Sequence, residues 1–178
     1  MTSAEAGQGA LVLIGPMGAG KTSVGRRVAR TLGLPFRDSD KIVVRDHGPI
    51  PELFAQHGEA HFRDLERAAV AEALAAGGVV ALGGGAVLDP RTRERLADHR
   101  VVLLTVAPNV VASRIHGDGR PLLQGEDPVQ RWLRIYEERR PLYESTAHIT
   151  FDTSSGPLSR VVDEIVAWAQ RAPAQETP

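Results

Sequence analysis

Ala10-Leu11-Val12-Leu13-Ile14-Gly15-Pro16-Met17-Gly18-Ala19-Gly20-Lys21-Thr22 passes without a break from an apolar run into the pattern G-x-x-x-x-G-K-[ST]. The run over residues 10 to 14 predicts a buried strand, and the apolar spacing from Val24 to Leu32 predicts a helix. A strand that feeds a glycine-rich turn and a helix that leaves it let backbone N–H groups and the helix N-terminus converge on an anion. Glycines 15, 18 and 20 allow the tight curl. The candidate nucleotide-binding residues are therefore Gly18, Ala19, Gly20, Lys21, Thr22 and Ser23. Lys21 can reach the β and γ phosphates, and the Thr22 hydroxyl can face Mg²⁺. The plain alternative is a glycine turn that binds nothing, and the flanking strand and helix weigh against it.

Length and composition narrow the rest. A chain of 178 residues suits one domain, expected over 10–171, with small, polar, proline-bearing tails at 1–9 and 172–178. A net charge of -1 and a pI near 6.6 argue against a general nucleic-acid or membrane surface and favour a small soluble ligand. Without cysteine there is no disulfide, thiolate metal site or cysteine nucleophile, which suits a reducing compartment. No stretch has the length of a membrane span or the layout of a signal peptide, so a cytoplasmic protein is expected, acting as a monomer.

Short apolar runs alternate with amphipathic stretches, the rhythm of an α/β fold, and there is no internal repeat. Strands are predicted at 10–14, 35–37, 79–82, 101–106 and 148–151. Phe62, Leu65, Ala69, Val70, Ala73 and Leu74 recur at helical spacing, as do Leu158, Val161, Val162, Ile165, Val166 and Ala169. In such a sheet ligands bind at the carboxyl ends of the strands. After the second strand stands Asp38-Ser39-Asp40. If the chain is still extended there, both carboxylates point the same way about 7 Å apart, one toward a metal and one toward an acceptor hydroxyl. The alternative is a solvated turn, or Asp40 capping a helix that begins near Lys41. After the third strand, Gly83-Gly84-Gly85 is costly in backbone entropy, which suggests close approach of something to the main chain, with a substrate ring as the candidate; a flexible turn is the alternative.

Four arginines complete the pattern. Arg63 lies one position off its helix's apolar stripe with Glu66 a turn later to orient it. Arg114 and Arg120 bracket a flexible polar segment suited to a lid, and Arg139 sits in Glu137-Glu138-Arg139-Arg140-Pro141-Leu142-Tyr143. For any one of them a solvated surface role is the plain alternative, and only the joint pattern argues otherwise.

In order, the Gly15 to Thr22 loop, Asp38-Ser39-Asp40, Phe62-Arg63 with Glu66, the glycine triplet, Arg120-Pro121-Leu122-Leu123 and Arg139-Arg140-Pro141-Leu142-Tyr143 resemble the shikimate kinase family, small P-loop kinases of the nucleoside monophosphate kinase fold. The match runs from about Leu11 to Ile165. The resemblance implies a three-layer α/β/α fold with a five-stranded parallel sheet in the order 2-3-1-4-5, a substrate-binding helical region near 41–70 and a lid near 113–125. It implies ATP and Mg²⁺, and transfer of the γ-phosphoryl group to the 3-hydroxyl of shikimate on the route to chorismate and aromatic amino acids. Arg63 and Arg139 would grip the substrate carboxylate, Gly83, Gly84 and Gly85 would lie beside the ring, and Asp40 would contact the hydroxyls as base or orienting group. Thr22 and Asp38 match the metal side. Lys21 and Arg120 would balance charge on the transferring group.

The lid between Arg114 and Arg120 is a residue or so shorter than in relatives, which leaves the adenine-stacking role of Arg114 open. The loop Asp152-Thr153-Ser154-Ser155-Gly156-Pro157 lacks a long side chain on the adenine side, where backbone contacts would have to suffice. His57, His61 and His116 fit no metal motif and read as surface or packing residues, and the helix bearing Trp132 and Tyr136 reads as core. Two other readings stay open: another small P-loop kinase, such as a gluconate kinase, and a nucleotide-binding module that only switches a partner's affinity.

Overall fold

In the computed structural model, residues 9–115 and 127–171 are described. The strand before the phosphate loop, β1 (Leu11–Ile14), forms the middle of a five-stranded sheet. Around it lie β2 (Phe36–Asp38), β3 (Val79–Ala81), β4 (Arg100–Thr105) and β5 (Ile149–Asp152), in the spatial order β2-β3-β1-β4-β5. All pairings are parallel, with Leu13 opposite Ala81 on one side and Val102 on the other.

Alternation along the strands fills two cores. Val12, Ile14, Val80, Val101 and Leu103 face Phe62, Val70 and Leu74 of the long helix α3 (Ile50–Ala76). Leu11, Leu13, Val79, Val102 and Leu104 face the other way, onto Val24 and Val28 of α1 (Lys21–Leu32) and Ile165 of α7 (Leu158–Gln170). A sheet covered on both faces explains why its strands read as continuous apolar runs. The remaining helices are α2 (Ser39–His47), α4 (Pro90–Leu96), the single turn α5 (Pro108–Val111) and α6 (Pro128–Thr146). Among the described residues no helix is long and apolar enough to cross a membrane.

The predicted strands are all present, most displaced by one residue. The displacement matters at β2, which ends on Asp38, so the chain is no longer extended at Asp40. The expectation of two parallel carboxylates on a strand is corrected, and so is Asp40 as a cap. Asp38 itself caps α2, accepting from the backbone N–H of Asp40 at 3.0 Å and of Lys41 at 3.3 Å. Asp40 stands in the helix's first turn.

Helix α3 is broken at Gly58, whose φ of 80° and ψ of 174° lie outside helical space. At the amino ends of two strands, imidazoles replace ladder partners. His99 Nδ1 accepts from Ala10 N–H at 2.9 Å, and His148 Nδ1 accepts from Val101 N–H at 3.0 Å.

Candidate active site

The carboxyl ends of β1, β2 and β3 open into a cleft of about 520 Å³ lined by Met17, Gly18, Gly20, Lys21, Thr22, Ser23, Asp38, Asp40, Leu82, Gly84, Arg114 and Leu158. Helix α1 begins at Lys21 without a side-chain cap, because Gly20, at φ 91°, brings the chain into the first turn. The first N–H groups of the helix are thus left for a ligand, as an anion site requires. Lys21 Nζ donates to the carbonyls of Gly15 at 2.7 Å and Pro16 at 2.9 Å, folding the side chain back over the loop. Ala19 is fully buried and can offer a ligand only its main chain.

Thr22 Oγ1 donates to Asp38 Oδ2 at 2.7 Å, which joins the two residues assigned to a metal at one wall of the cleft. Among the described residues no cluster of three or more histidines, cysteines or carboxylates is placed to hold a metal ion. One hydroxyl and one carboxylate are all-oxygen ligands, and that sparse set fits Mg²⁺, which keeps most of its waters and takes its other ligands from phosphates.

Asp40 faces the same cleft. Burial, followed by repulsion from Glu66 and Asp38, pushes its carboxyl up to about 6, against weaker opposing pulls from Lys21 and Arg63. A carboxylate with that affinity is ionised at neutral pH and yet is a stronger base than a free aspartate.

The three glycines do not share one reason. A β-carbon on Gly83 would sit 2.6 Å from Asp40 Oδ1 and press on Glu66, and one on Gly85 would overlap the Arg63 guanidinium. At these two positions the close approach expected of a substrate ring is made by the chain's own side chains. Gly84 alone of the three lines the cleft, and a β-carbon there would meet nothing nearer than 3.6 Å. Gly83 is further held by its N–H donating to the fully buried Ser39 hydroxyl at 3.0 Å.

Arg63 donates from Nη1 to Glu66 Oε2 at 2.6 Å and from Nη2 to Glu59 Oε1 at 3.1 Å, the orienting contact predicted from the spacing. Burial holds the Glu66 carboxyl above the ordinary glutamate range, opposed by Arg63 and Arg139. Arg139 is only 7% exposed, and its positive charge acts on both the Tyr143 phenol and the Glu66 carboxylate. The two arginines do not line the nucleotide cleft. They border two adjoining cavities of about 460 and 400 Å³ that share Glu59 and Leu88.

Arg114 is held by the phosphate loop and the loop after β5. Its guanidinium donates to Gly18 O at 3.1 Å, Thr153 Oγ1 at 3.2 Å and Thr153 O at 3.0 Å. The buried Thr153 hydroxyl also lies 2.8 Å from Ala19 O and 3.0 Å from Thr105 O. Ser39, Tyr143 and Thr153 stand inside marked stretches of sequence, yet nothing in the sequence assigns them these contacts. His57 and His61 lie exposed on α3 with ring centroids 4.7 Å apart. Arg120, His116 and the lid beyond Ile115 lie outside the described residues.

A parallel sheet in this order, a phosphate loop at its central strand and an acidic group across the cleft define a P-loop kinase of small molecules. The shikimate kinase family model matches residues 17–170. A shikimate kinase of Salinispora tropica is 47% identical over 159 residues, covering 88% of this chain and 95% of the relative. The solved structure of a shikimate kinase from Acinetobacter baumannii in complex with shikimate superposes with a TM-score of 0.87 at 37% identity, over 91% of this chain and 93% of that one. A gluconokinase from Sinorhizobium meliloti reaches a TM-score of 0.61 at 26% identity, over 90% of this chain and 91% of that one. The chain belongs to the shikimate kinase family.

Proposed function

We propose that this chain transfers the γ-phosphoryl group of ATP to the 3-hydroxyl of shikimate, giving shikimate 3-phosphate and ADP. The observation that carries the reading is the placement of Asp40 in one cleft with Lys21 and the Thr22–Asp38 pair, so that an acid for the acceptor faces the donor's phosphate site.

The phosphates lie along the loop from Gly18 to Ser23, with Lys21 swinging from the Gly15 and Pro16 carbonyls to the β and γ oxygens. Thr22 and Asp38 would hold Mg²⁺, Thr22 directly and Asp38 through water; the bound ion supplies positive charge to the phosphate oxygens and the leaving group. The acceptor ring packs beside Gly84, and its carboxylate is taken by the planar forks of Arg63 and Arg139. Glu66, which orients Arg63 and opposes Arg139 in charge, keeps the two guanidiniums from repelling each other.

Asp40 accepts the proton of the attacking hydroxyl. The substrate oxygen bonds to the γ-phosphorus as the bond to the β-bridging oxygen breaks, and ADP leaves with that electron pair. Little proton removal is needed early, because the transition state is loose. Arg120 is assigned to the charge of the moving phosphoryl group, and Arg114 to the nucleotide side. A reaction that consumes ATP in a cysteine-free chain suits the cytoplasm.

The test is ADP release from MgATP with shikimate, gluconate or a nucleoside monophosphate as acceptor. Stimulation by shikimate alone is expected. Stimulation by either control would overturn the acceptor, and ATP binding without turnover with any of them would overturn the kinase reading.

A further inference from the structure

Helix α6 reaches both halves of the site through aromatic side chains. Trp132, 1% exposed, donates its indole N–H to the Met17 carbonyl in the phosphate loop at 2.8 Å. About three turns further along the same helix, the equally buried Tyr143 donates its phenol to the carbonyl of Gly84, the glycine that lines the acceptor side of the cleft. Tyr136 stands between them, its ring centroid 5.2 Å from that of Trp132 and 6.4 Å from that of Tyr143. The two donors are therefore joined by a continuous aromatic stack along one helix, which holds its course through Pro141 between Tyr136 and Tyr143. Neither Trp132 nor Tyr143 lines the nucleotide cleft, and the polar atom of each is taken up by a loop carbonyl.

The segments they hold are loops that meet each other. A β-carbon on Gly84 would lie 3.6 Å from both Met17 N and Gly15 O, ordinary contact distance. The phosphate loop places the donor and the glycine loop places the acceptor, and in-line transfer depends on their relative position. A misplacement of about 1 Å can cost on the order of a hundredfold in rate. Burial pushes the Tyr143 phenol up to about 12, so its hydrogen bond persists at any working pH.

We propose that α6 is the strut that sets the distance between donor and acceptor, with Trp132 and Tyr143 as the positioning residues at its two ends. The proposal rests on the reading of the cleft as a kinase site. It differs from two local supports in one respect: a strut cut at one end no longer restrains the other.

Trp132→Phe, Tyr143→Phe and the double variant remove the donors and keep the rings. Each single change is expected to lower kcat about 5- to 30-fold while both KM values stay within about threefold. The double variant should be no slower than the worse single. Losses that multiply, losses confined to one KM in each variant, or no loss would overturn the strut. Thermal unfolding of each variant separates misfolding from misplacement.

A second arm is independent of shikimate. The chain has two tryptophans, and Trp168→Phe leaves Trp132 as the sole reporter. In that background MgADP binding should shift Trp132 emission, and adding Tyr143→Phe at the far end should change the size of that shift. An unchanged shift overturns the strut, whereas failure of the wild type to phosphorylate shikimate would overturn only the functional reading.

Discussion

Asp40→Asn is expected to stabilise the fold and abolish most of the activity. In the folded chain the Asp40 carboxyl titrates at about 6 against an ordinary 3.8, chiefly because of burial and then because of Glu66 and Asp38. Above pH 6 the unfolded chain carries the same charge at no such cost, so ionised Asp40 destabilises the native state by about 3 kcal/mol, at about 1.36 kcal/mol per pH unit of difference. The sign follows from the raised value. The penalty is full above pH 6, declines as pH falls through the window between 6 and 3.8, and is absent below it. Asparagine keeps the shape and removes the charge. Denaturant unfolding at pH 7.5 should therefore show the variant more stable by up to about 3 kcal/mol, and the gap should close toward pH 4. Turnover should fall by roughly 10²- to 10⁴-fold, the range of a lost general base. A variant that is less stable than the wild type at pH 7.5, or a stability gap that does not change with pH, would refute the account of Asp40 as a charge held at a cost. Near-normal turnover would remove it from the chemistry.

Arg139→Ala should weaken shikimate binding at least about tenfold more than ATP binding, measured by calorimetry on each ligand; equal losses would sink its assignment to the acceptor carboxylate. Gly85→Ala places a methyl group where the Arg63 guanidinium lies, and φ at Gly85 is -97°, so the backbone tolerates it. The KM for shikimate should rise about tenfold or more with little change in melting temperature, whereas Gly84→Ala meets nothing nearer than 3.6 Å and should fold normally. His99 accepts a backbone N–H through Nδ1, and burial holds its pKa below the ordinary 6.5, so charging it opposes folding. Its contribution to stability is expected to fade as pH drops below about 6.5, and His99→Asn, compared with wild type by denaturant unfolding from pH 7.5 to 5, should flatten that part of the profile.

Much of the site was legible because its chemistry needs particular residue types at fixed offsets. The phosphate loop could be read from Gly15 to Thr22, and a strand buried on both faces announces itself as an apolar run such as Leu11 to Ile14. The Arg63–Glu66 contact was legible because it lies within a helix, where a spacing of three residues fixes the geometry. What the sequence hid is the partnering between elements. Nothing in the order of residues says that Ser39 meets Gly83, that Thr153 meets Ala19, or that Tyr143 meets Gly84. Each of these is a single hydroxyl on a main-chain group, with no spacing rule behind it.

Asp38 and Asp40 mark the boundary between the two kinds of information. Both were identifiable as acids at a strand end, but two residues in the position of the helix start decide which of them caps α2. Because Asp38 spends one oxygen on backbone N–H groups and the other on Thr22, it is pinned against the first turn of α1. Asp40 makes no such capping contact; it faces the cleft from the first turn and bears the burial and the repulsion that raise its basicity. The different settings of the two carboxylates thus follow from where the strand ends, and a helix begun two residues later would make Asp40 the cap.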